Sequence, residues 1–331
     1  MGFEVNEISA NSKGGTELMR MGLEERLDPK LLEDFQIICS RVRKIEEDKI
    51  RVYWLHDLPE DPETSHLQDE SSRNRFHKLV FCGNWQYQRY RDYLGVPHDD
   101  SGIVLETAIT PIALNEPKPT NEIRMVYTST PQRGLDILVP VFEELCKKYD
   151  NIVLDVFSSF NIYGWSESDK PFEKLFERCR NHPKINYHGA QPNEVVRETL
   201  AKAHILAYPS TWMECNSRSV IEAMSAGMLC VHPNYAGLPD TAGGLNFMYQ
   251  WHPDKNMHAR VFYQSLEHAI NTVQTEDLQT YLRFVKMYAD SRYNWNKVAS
   301  QWTDLLEGLH EQYPVPGSRK PAGPVFHYKA G

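Results

Sequence analysis

The stretch His204–Pro233, "HILAYPSTWMECNSRSVIEAMSAGMLCVHP", sets two short apolar runs on either side of a helical one. "HILAY" and "MLCVHP" are apolar without alternation, the pattern of strands covered on both faces. Between them, "SRSVIEAMSAG" carries Val220, Ile221 and Met224 at helical spacing and stops at a glycine. Strand, helix and strand in this order predict two parallel strands with a crossover helix.

Working outward, the alternation continues. "IRMVYTS", "NIVLDVFSS" and "KINYHG" read as strands. "RGLDILVPVFEELCKKY", "PFEKLFERCRN" and "NEVVRETLAKA" read as the helices between them. Such a series implies a parallel sheet with helices on both faces. The first third repeats the theme, with "DFQIICS", "KIRVYWLH" and "HKLVFCG" as strands and "GTELMRMGLEERL" and "NWQYQRYRDYLG" as helices. "TPIALNEPKPTNE" holds three prolines, has no helical period and reads as a linker. The last helix, "NWNKVASQWTDLLEGLHEQ", has an apolar stripe through Trp295, Val298, Trp302, Leu305, Leu306 and Leu309. The expected organisation is a first α/β domain over 1–112, a linker over 113–122, a second α/β domain over 123–290, a closing helix over 291–312 and a mobile tail over 313–331.

Length and composition bound the function. With 331 residues, two domains are the default. The formal charge of -9 argues against a protein held mainly by nucleic-acid phosphates, although a local basic groove is compatible with it. There is no apolar window long enough to span a membrane. The N-terminal "MGFEVNEISANS" lacks a signal-peptide profile. Six scattered cysteines with no C-x-x-C pair read as reduced thiols of a cytoplasmic protein.

Ligands of open α/β sheets sit beyond the carboxyl ends of the strands. In the second domain those ends are followed by Ser129, Gln132 and Arg133, by Gly189 and Gln191, by Ser210, Thr211 and Glu214, and by Asn234 and Gly237. The set is small and polar and suits a large polar ligand. The helix that starts near Asn216, Ser217 and Arg218 offers unpaired amides and a positive dipole end, a seat for a diphosphate. Arg133 can add a fixed positive charge. Glu214 precedes the helix and Glu222 lies within it, so two carboxylates flank an anionic centre. One can take a ribose diol and the other a sugar hydroxyl, which together describe a nucleotide sugar. The plainer reading of Ser219 and Glu222 is a capping box. In the first domain, Gly14 and Gly15 in "NSKGGTE" permit close backbone approach to a phosphate or sugar, or make a plain turn. His56 and Asp57 end a strand where a substrate can be touched. No further ligands at suitable spacing make them a metal site.

The segments "ECNSRSVIE", an E-x7-E pattern, "AMSAGMLCVHPNYAGLPD", "YPS" and "INYHGAQPNEV" resemble those of the retaining glycosyltransferases of family 4. The resemblance covers most of residues 11–310 and is strongest over 123–240. It implies the GT-B architecture: two facing Rossmann-like domains with a C-terminal helix crossing back. It also implies transfer of a hexose from a UDP- or GDP-sugar with retained configuration, by a front-face route that needs neither metal nor other cofactor. Glu222 would hold the ribose and Glu214 the donor sugar. Asn216, Ser217, Arg218 and Arg133 would meet the departing diphosphate, with Ser129 beside them. Gln191 falls where the base is contacted, Gly14 and Gly15 would line the diphosphate, and His56 would position sugar or acceptor.

The chain departs from the family in several ways, among them a small acceptor-side domain and no strong strand before "NSKGG". The loop "TSTPQRG" offers only Arg133 where the family often has an Arg and a Lys, leaving Lys13 or Arg218 to supply further charge. The usual Phe-Gly after the first Glu is Asn216-Ser217. The acceptor, whether glycan, lipid, protein or modified nucleobase, is open, as is the oligomeric state. Three rival readings remain: a catalytically weak GT-B subunit that supports a partner, a nucleotide-sugar epimerase, and a transferase acting on modified DNA bases.

Overall fold

The computed structural model describes residues 14–323 and divides them into two compact units. One comprises Gly14–Ala108 and the chain from Trp295 onward; the other is Ile109–Asn294. In the first, α1 (Gly15–Glu24), β1 (Phe35–Cys39), β2 (Ile50–Leu55), α2 (Glu70–Arg73), β3 (Lys78–Phe81), α3 (Asn84–Leu94) and β4 (Gly102–Val104) follow one another. The four strands are all parallel, in the order β1-β2-β3-β4. Every residue of β2 is buried, which explains its unbroken apolar character. Arg51 is the exception in kind: its guanidinium donates to the carbonyls of Arg75, Glu46 and Lys49.

The second unit runs β5 (Ile123–Thr128), α4 (Leu135–Cys146), β6 (Ile152–Phe157), α5 (Glu173–Asn181), β7 (Ile185–Tyr187), α6 (Asn193–Lys202), β8 (Ile205–Ala207), α7 (Arg218–Ser225), β9 (Leu229–Pro233), α8 (Leu238–Ala242), β10 (Phe247–Tyr249), α9 (Lys255–Thr272) and α10 (Glu276–Arg292). The six strands are all parallel and lie in the order β7-β6-β5-β8-β9-β10. This is the 3-2-1-4-5-6 order of a Rossmann sheet. The winding direction reverses between β5 and β8, and a crevice opens there beyond the strand ends. Burying a Val, Leu or Ile side chain contributes roughly 1.5–3 kcal/mol. Val126, Leu138, Leu154, Leu206, Ile221 and Val231 in this core are all fully covered.

Two parts of the chain differ from the sequence expectation. The closing helix does not begin at residue 291: α10 continues to Arg292, and α11 (Trp295–Gln312) starts after a break at Tyr293 and Asn294. Its stripe of Trp295, Val298, Trp302, Leu306 and Leu309 lies in the core of the first unit, with Trp302 edge-on to Trp54 at 4.7 Å. Residues 319–322 of the segment expected to be a mobile tail make hydrogen bonds to the rest of the first unit. Arg51 and Arg75 donate to the carbonyls of Lys320 and Ala322, the Lys320 ammonium donates to the Phe76 carbonyl at 2.8 Å, and Arg319 pairs with Asp34 at 2.7 Å. Buried guanidinium groups need acceptors, and this segment supplies them.

Candidate functional site

The loops after β5 and β8 meet at the switch point of the second unit. Gly134 begins α4 with φ 118°, and a Cβ there would lie 2.2 Å from the Pro209 carbonyl oxygen, so glycine alone lets the two loops approach. Thr211 N–H donates to the Arg133 carbonyl at 3.3 Å, and the Thr211 hydroxyl donates to the Gln132 carbonyl at 3.1 Å. Gly237 does the same for the loop after β9. A Cβ at Gly237 would meet the Glu214 and Cys215 carbonyl oxygens at 2.5 Å, and its N–H donates to the Glu214 carbonyl at 2.9 Å.

These contacts set an ion pair between a buried Glu214 and a half-buried Arg133. Arg133 donates to Glu214 Oε1 at 2.9 Å, and the Tyr208 hydroxyl donates to the same oxygen. Ser129 Oγ lies 3.3 Å from the Tyr208 hydroxyl, and the Arg133 guanidinium covers the Trp212 ring at 5.6 Å. Burial alone would lower the Arg133 pKa, but the Glu214 carboxylate outweighs it and the net shift is upward. Burial, reinforced by Glu214, raises the Tyr208 pKa, so its phenol keeps its proton and donates. Both donors use Oε1. Glu214 Oε2 has no hydrogen-bond partner among the described residues and is open to a ligand hydroxyl.

The start of α7 completes the site. Its N-cap, Ser217, makes no side-chain cap bond. The capping-box reading of Ser219 and Glu222 is corrected: Ser219 Oγ donates across to the Thr128 carbonyl of β5 at 2.5 Å. The first turn thus carries no side-chain cap, which leaves it suited to an anion. Both amide atoms of the Asn216 side chain are buried without a partner, as are Thr128 Oγ1, Thr130 Oγ1 and Arg133 Nε. Unsatisfied buried polar atoms are rare in folded proteins, and these stand at the end of β5 and on the loops that follow β5 and β8, where a polar ligand can be met.

Glu222 is buried and receives Arg218 at 2.9 Å, Arg197 at 3.4 Å and Asn193 at 3.3 Å. Arg197 also donates to the Thr110 carbonyl at 2.6 Å, so Glu222 orders the loop leading into the unit. Gln191, in the loop after β7, donates to the His188 carbonyl at 2.8 Å. The structure therefore brings Arg133, Ser129 and Glu214 together, with Asn216, Ser217, Arg218 and Glu222 on the adjoining helix start. Tyr208, Asn193 and Arg197 were missed from sequence, although Tyr208 stands in the quoted "YPS" and Asn193 and Arg197 follow Gln191 by two and six positions.

The remaining candidates belong to the first unit. Gly14 is the N-cap of α1, and a Cβ at Gly15 would meet nothing within 4 Å. Lys13 lies outside the described residues. His56 follows β2, with Nδ1 3.3 Å from Cys82 Sγ and Nε2 buried without a partner. Burial pushes its pKa down to about 3, so the ring is neutral. Among the described residues no cluster of three or more His, Cys, Asp or Glu could hold a metal ion, and no helix is long and apolar enough to cross a membrane.

The fold is GT-B: two Rossmann-like parallel-sheet domains. Residues 108–247 carry a domain that matches the family model "Glycosyl transferases group 1". A human protein named as a subunit of phosphatidylinositol N-acetylglucosaminyltransferase is 24% identical over 214 residues, 62% of this chain and 40% of its own length. An Arabidopsis thaliana protein of the same name is 25% identical over 178 residues, 54% of this chain and 35% of its own length. The chain thus matches well under half the length of these relatives. Among solved structures, a glycosyltransferase from Rickettsia africae superposes with a TM-score of 0.67 at 14% identity, covering 92% of this chain and 84% of its own. Anabaena HepE, solved with UDP-glucose, gives 0.60 at 15% identity, covering 89% and 82%.

Proposed function

We propose that the protein is a retaining glycosyltransferase that moves a hexose from a nucleoside-diphosphate sugar to an acceptor of open identity. The observation that carries this reading is the Arg133–Glu214–Tyr208 cluster at the β5/β8 switch point, beside a helix start whose Asn216 amide is unpartnered. The diphosphate would lie on the first turn of α7, taking hydrogen bonds from Asn216 and the helix amides. Arg133 Nε has no partner among the described residues and would donate to the same anion, with Glu214 keeping that cation in place. A preorganised donor of this type contributes roughly 3–4 kcal/mol to stabilising charge that develops on a leaving group. Glu214 Oε2 would accept from a donor-sugar hydroxyl, and Glu222 from the ribose diol. With fixed cations and a helix dipole meeting the diphosphate, metal is not required. Ser129 and Gln191 would border the nucleotide, and His56, Gly14 and Gly15 remain candidates of the first unit for contact with sugar or acceptor. The working compartment is the cytoplasm.

The test is a thermal-shift panel of UDP, GDP and ADP and their sugar conjugates, with and without magnesium. Ligand at about 100 times its Kd stabilises by roughly 2.7 kcal/mol. One base should shift the wild type without magnesium and leave Glu222→Ala and Glu222→Gln unshifted. No response to any nucleotide would sink the donor site. A second reading has specific support: the human and Arabidopsis relatives are named as subunits, which favours a chain that binds nucleotide or glycan and supports a partner. Loss of transfer in Glu214→Gln selects the enzyme; unchanged biological activity selects the supporting role.

A further inference from the structure

A second cavity of about 280 Å³ opens in the Ile109–Asn294 unit, between the start of α4, the loop after β8 and the segment joining β10 to α9. Gln132, Thr211 and Trp251 line it, and Glu214, Asn216 and Glu222 do not. Its walls are held firmly. The Trp251 ring stacks on Tyr235 at 4.4 Å with planes 7° apart, and the Trp251 backbone N–H donates to Asn234 Oδ1 at 2.8 Å. Asn234 in turn donates to Gln250 at 3.1 Å.

Two buried polar atoms of this cavity's lining residues have no partner among the described residues: the indole Nε1 of Trp251 and the amide Oε1 of Gln132. The first is a donor only, and the second is an acceptor only. An ionised carboxylate would satisfy the indole and leave Gln132 Oε1 without a donor. An ammonium would do the reverse. A hydroxyl does both, because it accepts and donates. Charge points the same way. Lys255 pairs with Asp136 at the wall, so neither presents a net charge to a ligand. His258 shares a hydrogen bond with the Tyr249 hydroxyl at 2.8 Å. Ile137 and Pro253 add apolar surface for the C–H side of a ring. The volume lies just below the range for drug-sized ligands, about 300–1,000 Å³, and suits a single small ring.

We propose that this cavity is a saccharide subsite, separate from the nucleotide-binding residues, that takes one neutral, hydroxyl-bearing ring between the Trp251 indole N–H and Gln132 Oε1. It is tested by nitrogen-15 NMR of the full chain, in which seven tryptophans give seven indole signals. The Trp251 signal is identified by its loss in Trp251→Phe, a change that keeps the stack on Tyr235. Glucose or N-acetylglucosamine should move that signal saturably, in the presence of saturating UDP and in Glu222→Ala alike. Trp251→Phe and Gln132→Met, read by saturation-transfer NMR on the sugar, should each weaken binding roughly three- to tenfold, the loss of one neutral hydrogen bond. Should Trp251→Phe not fold, Gln132→Met carries the comparison alone. An indole signal that ignores both sugars overturns the proposal, as does one that responds to inorganic phosphate instead. A sugar response abolished by UDP also overturns it, because the cavity would then be part of the donor site. The response of the indole signal to sugar alone does not depend on nucleotide binding, so the two readings fail separately.

Discussion

Removing Glu214 gives the sharpest test of the Arg133–Glu214 pair. The side chains of Arg133 and Glu214 are 24% and 9% exposed and meet at 2.9 Å. At an effective dielectric constant of about 20 their attraction is on the order of 6 kcal/mol, against which both pay desolvation. Glu214→Ala leaves a largely covered guanidinium without its counter-charge and takes the acceptor from the Tyr208 hydroxyl. The expected loss is about 3–5 kcal/mol. For a unit of this size each kcal/mol is worth roughly 2–4 °C, so its melting temperature should fall by about 6–20 °C. Adding Arg133→Met to Glu214→Leu should recover most of that loss, since an apolar pair replaces two costly charges. Urea unfolding followed by circular dichroism on the single and double variants gives the coupling energy directly. A loss under about 1 kcal/mol for Glu214→Ala would refute the reasoning, because it is the value of a solvent-screened pair.

Asn216→Leu should be neutral or mildly stabilising without ligand, since it removes two unpartnered buried polar atoms, yet it should cut nucleotide binding at least tenfold by calorimetry. Gly237→Ala should cost about 1–3 kcal/mol in denaturant, because its Cβ meets backbone oxygens that cannot yield without moving Glu214. Acid should destabilise the protein early. Burial lowers the pKa of His56 and His77 to about 3 and of His66, His204 and His232 to about 4. The unfolded chain binds the extra protons below about 6.5, so stability is full above that pH and falls steadily toward about 4. Melting temperature against pH should show a multi-proton slope in that window; a flat profile between pH 6.5 and 4 would contradict the buried neutral rings.

The alternation of strands and helices was legible because β5, β6, β8 and β9 are largely covered on both faces, which makes them apolar runs interrupted only by Arg124, Asp155 and His232. β4 and β10 were not legible. Each is three residues long at a sheet edge and mostly half-buried or exposed, so no apolar run announces it. The positions of the candidate residues were legible as well: Arg133 follows β5, Glu214 and Asn216 follow β8, and Glu222 lies in α7.

Chain order carries local periodicity and the identity of the groups that follow each strand, and these are set by the sequence alone. Tertiary structure decided the strand order that puts β5 next to β8, and hence that Arg133 meets Glu214 across 81 positions. It turned Ser219 from a cap into a tie to β5 and set Asn193 and Arg197 on Glu222. It also pinned Lys320 and Ala322 against Arg51 and Arg75, about 250 residues away in the chain. Buried donors and acceptors must find partners, and those partners are chosen by proximity in space, which periodicity does not encode.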